Sequence, residues 1–159
     1  MRLLLFFCLS IVVSNVVLAK TSMEKVLINH NDSLCYAPLV SAAEKIISKK
    51  THRLMTTLNN DSNEPVVISG VIEYKDRQSH INFAAILVNG QCRVKSTESF
   101  TFKLPCITVR QEVFKKWQMK GILNNTTLVL AHSRDAKQIA YLSDASDGSY
   151  CLVSRHNQF

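Results

Sequence analysis

The chain has 159 residues, of which 47% are hydrophobic and 19% charged, and its formal net charge is +7 at pH 7. This length is typical of one domain that can bury a sizeable core without help from metals or partners. Basic residues form no run longer than two, so the positive charge by itself is explained by a solvated surface, with an acidic partner as the alternative.

The first nineteen residues have the pattern of a signal peptide. Arg2 supplies the positive charge, an apolar run occupies residues 3–18, and Ala19 ends a small-residue cleavage pattern. An uncleaved membrane anchor is less favoured, because the run is shorter than the roughly 20 residues that cross a bilayer. We predict cleavage after Ala19 and one exported domain over residues 20–159, periplasmic or extracellular, with no stable membrane insertion after cleavage. Export also disfavours nucleic acid as a partner.

The cysteines that remain after cleavage predict two disulfides. Cys8 is removed with the signal peptide, and an even number of cysteines is left in a chain bound for an oxidising compartment. These four are Cys35, Cys92, Cys106 and Cys151. A zinc site is disfavoured because no two of them have C-x-x-C spacing. One long strand would hold Cys92 and Cys106 far apart, so we predict the pairs Cys35–Cys106 and Cys92–Cys151.

The N-terminal part predicts one long amphipathic helix. The short apolar patch at residues 26–28 indicates either an edge strand or an early helix. A helical pattern follows from Ser33, with Pro38 suited to its first turn. Its apolar stripe consists of Val40, Ala43, Ile47, Leu54 and Leu58. The polar cluster at residues 59–63 is expected to end it.

Residues 65–104 predict three antiparallel strands, at 65–74, 81–88 and 91–104. Asn89-Gly90 is a strong signal for a type I′ hairpin, because both residues tolerate positive φ. The third strand alternates strictly, which predicts one buried and one wet face. Glu98 interrupts the apolar face, and we expect either a bulge near Ser96-Thr97 or a strand end that reaches solvent.

The C-terminal part predicts a second helix followed by three more strands. Thr108 and Gln111 have the spacing of a capping box, Val113 and Trp117 continue an apolar stripe, and Gly121 suits a C-terminal cap. The strands are expected at residues 126–131, 137–142 and 150–155. The predicted fold class is α+β, an antiparallel sheet of two three-stranded meanders in the order α-β-β-β-α-β-β-β. Two amphipathic helices are expected to cover one face of the sheet, and disulfides to cross-link the structure. The sequence contains no internal repeat.

Catalytic motifs are missing from the sequence. Five histidines form no compact ligand pair, and no G-x-S-x-G motif occurs. The carboxylates Glu73, Asp76, Glu98 and Glu112 could form an acid–base pair only if the fold brought two of them together. We therefore predict no cofactor and no metal, and we favour a protein that is not an enzyme.

By elimination, the sequence predicts an exported, non-enzymatic protein-binding module such as an inhibitor, an immunity protein or an assembly accessory protein. The alternatives are a small secreted hydrolase with dispersed acid–base residues and a structural subunit of a secretion or surface apparatus, for which an exposed edge strand would be the sign. The expected partner is another protein, with an acidic one suiting the basic surface, and the oligomeric state stays open. The predicted contact surface is the wet face of the third strand, and the alternative is that this face is simply solvated. Its residues are Arg93, Lys95, Thr97, Thr101 and Lys103.

Overall fold

A computed structural model describes residues 22–30, 33–56 and 65–159 of the chain. The predicted signal peptide lies outside these residues. The helices are α1 (Ser22–Val26), α2 (Tyr36–Ile47) and α3 (Cys106–Glu112), with a 3₁₀ turn at Ile28–His30. The strands are β1 (His52–Thr56), β2 (Val66–Glu73), β3 (Gln78–Val88), β4 (Gln91–Phe102), β5 (Trp117–Leu123), β6 (Thr127–His132), β7 (Asp135–Asp144) and β8 (Cys151–Gln158).

The eight strands of the described residues belong to one antiparallel sheet in the order β1-β2-β3-β4-β8-β7-β6-β5. Two meanders of four strands each meet where β4 pairs with β8 over eight residue pairs. The molecule is therefore a mostly antiparallel β structure with a few short helices and two disulfides. The predicted meanders of three strands were wrong, because each half contains one further strand at the outer edge of the sheet.

Both missed strands lie in segments that the sequence assigned to helices. Helix α2 ends at Ile47, and Ser48 follows with a φ of 52°. The segment that contains Leu54 then becomes β1 and pairs with β2. In the second half, the segment from Trp117 becomes β5 and pairs with β6. Gly121 is consequently a strand residue and caps no helix.

The predicted capping box is also wrong, because α3 begins two residues before Thr108. Pro105 occupies the position before the helix and makes no side-chain cap. Instead, the backbone N–H of Cys106 donates to Oδ1 of Asp144 at 2.7 Å. A carboxylate from the end of β7 thus supplies the acceptor that a local Thr side chain was expected to supply.

The central strands agree with the prediction. Strands β2, β3 and β4 form an antiparallel meander, and Asn89 and Gly90 have φ values of 51° and 74° in the turn between β3 and β4. The even-numbered residues of β4 are buried or half-buried, whereas most odd-numbered residues are exposed. The strands predicted in the last third are present as β6, β7 and β8.

The disulfides are Cys35–Cys92 and Cys106–Cys151. Two bonds were predicted correctly, but their pairing was wrong. Each bond joins the start of a helix to the first residues of the last strand in the same half of the chain. The pairing is local to each half because each helix packs against its own meander, α2 on β3 and β4 and α3 on β7 and β8.

The two halves repeat one arrangement, a helix followed by four strands, although the sequence showed no repeat. Thr97 and His156 each lie five positions after a bonded cysteine, and they stand directly opposite each other in the β4–β8 pairing. An approximate twofold axis therefore passes between them. Its two sides differ chemically: Glu98 pairs with Arg155 on one side, and Ser96 pairs with Asn157 on the other.

Two hydrophobic clusters form the core, one in each half. The first packs α1 and α2 on β2, β3 and the start of β4, with Phe83 and Leu39 among its buried residues. The second packs α3 on β6, β7 and β8 around Leu130 and Val153. None of the helices in the described ranges is long and apolar enough to cross a bilayer.

Candidate binding cleft

A strip of polar side chains separates the two hydrophobic clusters on the face of β4 that carries Cys92. We call it the polar seam. Val94 belongs to the first cluster and Phe100 to the second, and the strand residues between them on this face are Ser96 and Glu98. The polar seam consists of Ser79, Ser96, Glu98, Arg155 and Asn157.

Glu98 is the centre of the polar seam and is fully buried. Its Oε1 accepts hydrogen bonds from the Tyr74 hydroxyl at 2.5 Å and from the Ser79 hydroxyl at 2.8 Å. Its Oε2 accepts from the Arg155 guanidinium, with which it forms an ion pair. Strand pairing is regular on both sides of Glu98, so the predicted bulge or solvent-exposed strand end was wrong. A buried carboxylate is tolerated here because donors surround it.

These contacts shift the pKa values of Glu98 and Tyr74 in opposite directions. Burial alone would raise the pKa of Glu98, but the charge of Arg155 and the hydrogen bonds from Tyr74, Ser79 and Arg155 hold it below the ordinary value. Burial, followed by the hydrogen bond to Glu98 and its negative charge, raises the pKa of Tyr74 to about 12. At neutral pH the Glu98 carboxylate therefore lies between the neutral phenol of Tyr74 and the guanidinium of Arg155.

Arg77 extends the polar seam towards solvent. It belongs to the turn between β2 and β3, where its carbonyl accepts from the Tyr74 N–H at 2.8 Å. Its guanidinium carbon lies 4.6 Å from the ring centre of Tyr74, 4.7 Å from that of Phe100 and 4.9 Å from that of Phe102. Asp76 contacts it at 2.7 Å. Three aromatic faces and one carboxylate thus hold a second arginine in place beside Arg155.

A cleft of about 740 Å³ opens above Arg77 and Arg155, and we call it the cationic cleft. The end of α2, the β2–β3 turn, the start of β7 and the end of β8 supply its walls. Its charged lining residues are Lys45, Lys50, Arg77, Lys137 and Arg155 on the positive side and Asp135 on the negative side. Five cationic side chains therefore face one acidic side chain.

The charges of the lining are only partly compensated. Within the described part of the chain, the ion pairs shorter than 4 Å are Arg77–Asp76 and Arg155–Glu98. Asp135 is held by its own segment, since it accepts from the Lys137 N–H at 3.1 Å and from Gln138 Nε2 at 3.0 Å. The hydrogen bond from Gln138 and then that from the Lys137 N–H lower the pKa of Asp135. Three lysines of the lining thus contact no carboxylate among the described residues.

Neighbouring aromatic rings position two of these lysines. Lys50 Nζ donates to the carbonyls of Ile46 at 2.9 Å and Ile47 at 3.3 Å at the end of α2, and it lies 5.4 Å from the ring centre of Tyr74. Lys45 Nζ lies 5.5 Å from the ring centre of Phe159. The two ammonium groups thus have aromatic or carbonyl partners and no carboxylate partner among the described residues.

The predicted contact surface runs along one face of β4 and just past its end. Arg93 and Lys95 are exposed near the start of β4 and line a second cavity. Thr97 is half-buried, and its hydroxyl lies 3.1 Å from Nδ1 of His156. Thr101 is exposed near the end of β4, while Lys103 lies beyond Phe102, where the strand ends. Arg93, Lys95, Thr97 and Thr101 thus share one face of β4, and Lys103 follows directly after the strand. Their role in binding a partner stays a prediction.

A serine and a histidine meet in the first half of the chain. The Ser22 hydroxyl is hydrogen-bonded to Nε2 of His52, and Nδ1 of His52 lies 2.6 Å from the Lys50 carbonyl. A small cavity of about 170 Å³ lies beside them. The described residues contain no group of three or more His, Cys, Asp or Glu side chains close enough to hold a metal ion.

Sequence reasoning missed most of the cationic cleft. Glu98 was noticed as a charge on an apolar strand face, and Arg155 carries the matching signal two positions after the buried Val153. Two opposite charges on buried faces of different strands could have suggested that the strands pair. Lys45, Arg77 and Lys137 carry no such signal, because only the fold brings them together.

Comparison with protein-family models, with curated proteins and with solved structures finds no match for this chain. The cleft itself is therefore the basis for a functional proposal.

Proposed function

We propose that this protein is an exported, non-enzymatic binding module whose cationic cleft takes an acidic segment of another protein. The observation that carries the proposal is the excess of cations over carboxylates in the cleft lining. Lys45, Lys50 and Lys137 contribute charge that no described carboxylate contacts within 4 Å. A concave surface of one sign concentrates its potential and attracts ligands of the opposite sign.

The polar seam supports binding more than chemistry. Both oxygens of Glu98 accept hydrogen bonds from protein groups, so this carboxylate is engaged in holding Arg155 and Tyr74. A base that acts on a substrate needs reach to that substrate. Glu98 lies at 0% exposure beneath the cleft. Its role is to fix the position of Arg155, which lowers the ordering cost when an anion binds.

Two further features fit the proposal. Two disulfides are typical of proteins in oxidising compartments, which supports export. In the β4–β8 pairing, Phe102 is opposite Cys151, and Phe102 shares its strand face with Cys92. Both disulfides therefore attach their helices to the same face of the sheet, and we infer that α2 and α3 cover that face, with the end of α2 forming one wall of the cleft.

The proposal is tested by measuring the affinity of a fluorescently labelled ten-residue peptide rich in Glu, together with a counterpart that has Gln at each Glu. We expect the acidic peptide to bind with an affinity that falls as salt rises, because screening weakens charge contacts. In the variant Lys45→Gln/Lys50→Gln the affinity should fall roughly tenfold, about 0.7 kcal/mol for each rim charge.

The matched control is Lys115→Gln/Lys116→Gln, which removes two exposed lysines outside the cleft. It should leave the affinity within about twofold of the wild-type value. Equal losses in both variants would mean that net charge and not the cleft attracts the peptide. Equal binding of the Gln peptide would also contradict the proposal.

A second candidate function, hydrolysis of a small ester, rests on the Ser22–His52 contact. A serine hydroxyl beside a histidine whose other nitrogen is held by an acceptor has the nucleophile–base–orienting arrangement of acyl transfer. Turnover of p-nitrophenyl acetate that disappears in both Ser22→Ala and His52→Ala would support it. If the wild-type protein hydrolyses p-nitrophenyl acetate no faster than buffer alone does, this second function is ruled out.

The third hypothesis, a structural subunit, would use an edge of the sheet. Strand β5 ends the described sheet and exposes Met119, Ile122 and Leu123. Such an edge can accept another strand, but an edge strand by itself identifies no partner.

A further inference from the structure

No described helix packs on one face of the sheet, and we call it the open face. Both disulfides attach their helices to the opposite face, which carries Cys92 and Cys151, whereas the odd-numbered residues of β4 belong to the open face. Residues that are opposite each other in an antiparallel pairing share a face, so the strand registers extend the open face to β3 and β8. The second cavity, of about 680 Å³, lies along this face near the start of β4.

The second cavity has a cationic side and an apolar side. Arg93 and Lys95 form the cationic side on β4, and both are exposed. On β3, Ile86 is directly opposite Arg93, and Ala84 is directly opposite Lys95. Opposite residues of an antiparallel pair have Cβ atoms about 5 Å apart, so each cation stands beside an aliphatic side chain. Two more apolar residues of the lining are Pro65 and Val88.

No carboxylate balances the cationic side of the second cavity. None of the described residues that line it is Asp or Glu. Arg93 and Lys95 take part in neither of the two ion pairs found among the described residues. Lys137 is a third cation of the lining, but it also lines the cationic cleft, whereas Arg93 and Lys95 do not. Substitutions of the two β4 residues therefore test the second cavity separately from the cleft.

We propose that the second cavity binds an amphipathic anion, which is a single aliphatic chain with one anionic head group. The head group contacts Arg93 and Lys95, and the chain lies over Ala84 and Ile86. An inorganic anion would leave the apolar side unused, and a neutral hydrocarbon would leave the cations unused. The volume of the cavity lies within the roughly 300–1,000 Å³ of small-molecule sites. This inference goes beyond the proposed function, and it stands even if the cationic cleft binds no acidic peptide.

The test is isothermal titration calorimetry on the oxidised full chain, with each probe below its critical micelle concentration. Decyl phosphate should bind at least tenfold more tightly than hexyl phosphate, because its longer chain covers more of the apolar side. Decyltrimethylammonium, which has a chain of the same length but a positive head group, should not bind. The affinity for decyl phosphate should fall roughly tenfold in Arg93→Gln/Lys95→Gln and roughly threefold in Ile86→Ser.

The matched control is Arg53→Gln/Met55→Ser, which removes one cation and one apolar side chain from the open face outside the second cavity. It should change the affinity for decyl phosphate less than twofold, and so should the cleft variant Lys45→Gln/Lys50→Gln. If the control loses as much affinity as Arg93→Gln/Lys95→Gln, the open face as a whole attracts the probe and the assignment to this cavity is wrong.

Two other results would also overturn the inference. If phosphatidylglycerol vesicles bind through Arg93 and Lys95 but monomeric decyl phosphate does not bind, the partner is a bilayer. If Arg93→Gln/Lys95→Gln weakens binding of the acidic peptide and leaves decyl phosphate unaffected, this face belongs to the protein partner. Arg93, Lys95 and Ile86 are exposed, and circular dichroism of each variant verifies its fold.

Discussion

At the scale of single residues, Glu98 organises the centre of the sheet. A carboxylate at 0% exposure would be strongly destabilising without partners, and here Arg155, Tyr74 and Ser79 all donate to it. Removing one of these donors would leave part of the buried Glu98 carboxylate without a hydrogen bond, which is destabilising. Glu98 therefore links the stability of the polar seam to the position of the arginine in the cleft floor.

The ionisation of Tyr74 gives the first prediction. Its pKa of about 12 lies above the ordinary value of 10.0, so the folded protein binds this proton more tightly than the unfolded chain does. The resulting stability is complete below pH 10 and is lost as the pH rises from 10 to about 12. Ultraviolet titration at 295 nm should show a phenol that ionises late, and Tyr74→Phe should abolish that component.

The control for this prediction is Glu98→Gln. It removes the negative charge that helps to raise the pKa of Tyr74 and keeps a side chain of similar size. The late ionisation should then move from about pH 12 towards 10.0. A titration curve unchanged by this substitution would show that Glu98 does not act on the phenol.

At the scale of elements, β1 and β5 show how tertiary pairing overrides a helical pattern. Leu54 and Trp117 each continue an apolar stripe of the preceding helix, yet both lie in strands paired with the next strand of their meander. Helix propensity amounts to only tenths of a kcal/mol per residue, whereas an added edge strand forms a row of hydrogen bonds and buries side chains. The end of each helix could therefore not be read from its own periodicity.

The pairing of β1 with β2 yields the second prediction, at Gly70. A Cβ atom there would clash with the Arg53 carbonyl oxygen and lie 2.6 Å from Leu54 Cδ2. Gly70→Ala must push β1 away and should lower the free energy of unfolding by about 1–3 kcal/mol. Urea denaturation followed by circular dichroism measures this change.

Gly121 in β5 is the matched control, because an added Cβ would meet nothing within 4 Å. Gly121→Ala should change the free energy of unfolding by less than about 0.5 kcal/mol. Comparable losses in the two variants would indicate that glycine flexibility and not the close approach of β1 sets the effect at Gly70.

At the scale of the whole molecule, two similar halves share one sheet. Each half has its own disulfide and hydrophobic cluster, and the β4–β8 pairing with its polar seam joins them. The approximate axis between Thr97 and His156 leaves an ion pair on one side and a neutral Ser96–Asn157 hydrogen bond of 3.1 Å on the other. The asymmetry places the buried charge, and the cleft above it, on one side only.

The shared sheet predicts that the halves unfold together. Cys35→Ser/Cys92→Ser opens a loop of 57 residues in the first half, which should lower the free energy of unfolding by about 4 kcal/mol in the chain-entropy model. The single Trp of the chain, Trp117, packs at 5.1 Å from the ring centre of Phe114 in the second half. Its fluorescence should report the same lowered midpoint as far-ultraviolet circular dichroism.

The reverse variant, Cys106→Ser/Cys151→Ser, provides the comparison, because its bond closes a loop of 45 residues and should contribute nearly as much. Fluorescence and circular dichroism should again give one midpoint. A Trp117 transition that stays at the wild-type midpoint in Cys35→Ser/Cys92→Ser would show that the halves unfold independently.

The local features of this protein could be predicted from its amino-acid sequence alone. The Asn89-Gly90 turn, the alternation along β4 and the presence of two disulfides follow from backbone sterics, strand periodicity and an even number of cysteines. Long-range packing sets the edge strands, the disulfide pairing, the partners of Glu98 and the cationic cleft. These depend on contacts between residues far apart in the chain, such as Glu98 and Arg155, and such contacts leave no periodic signal in a single sequence.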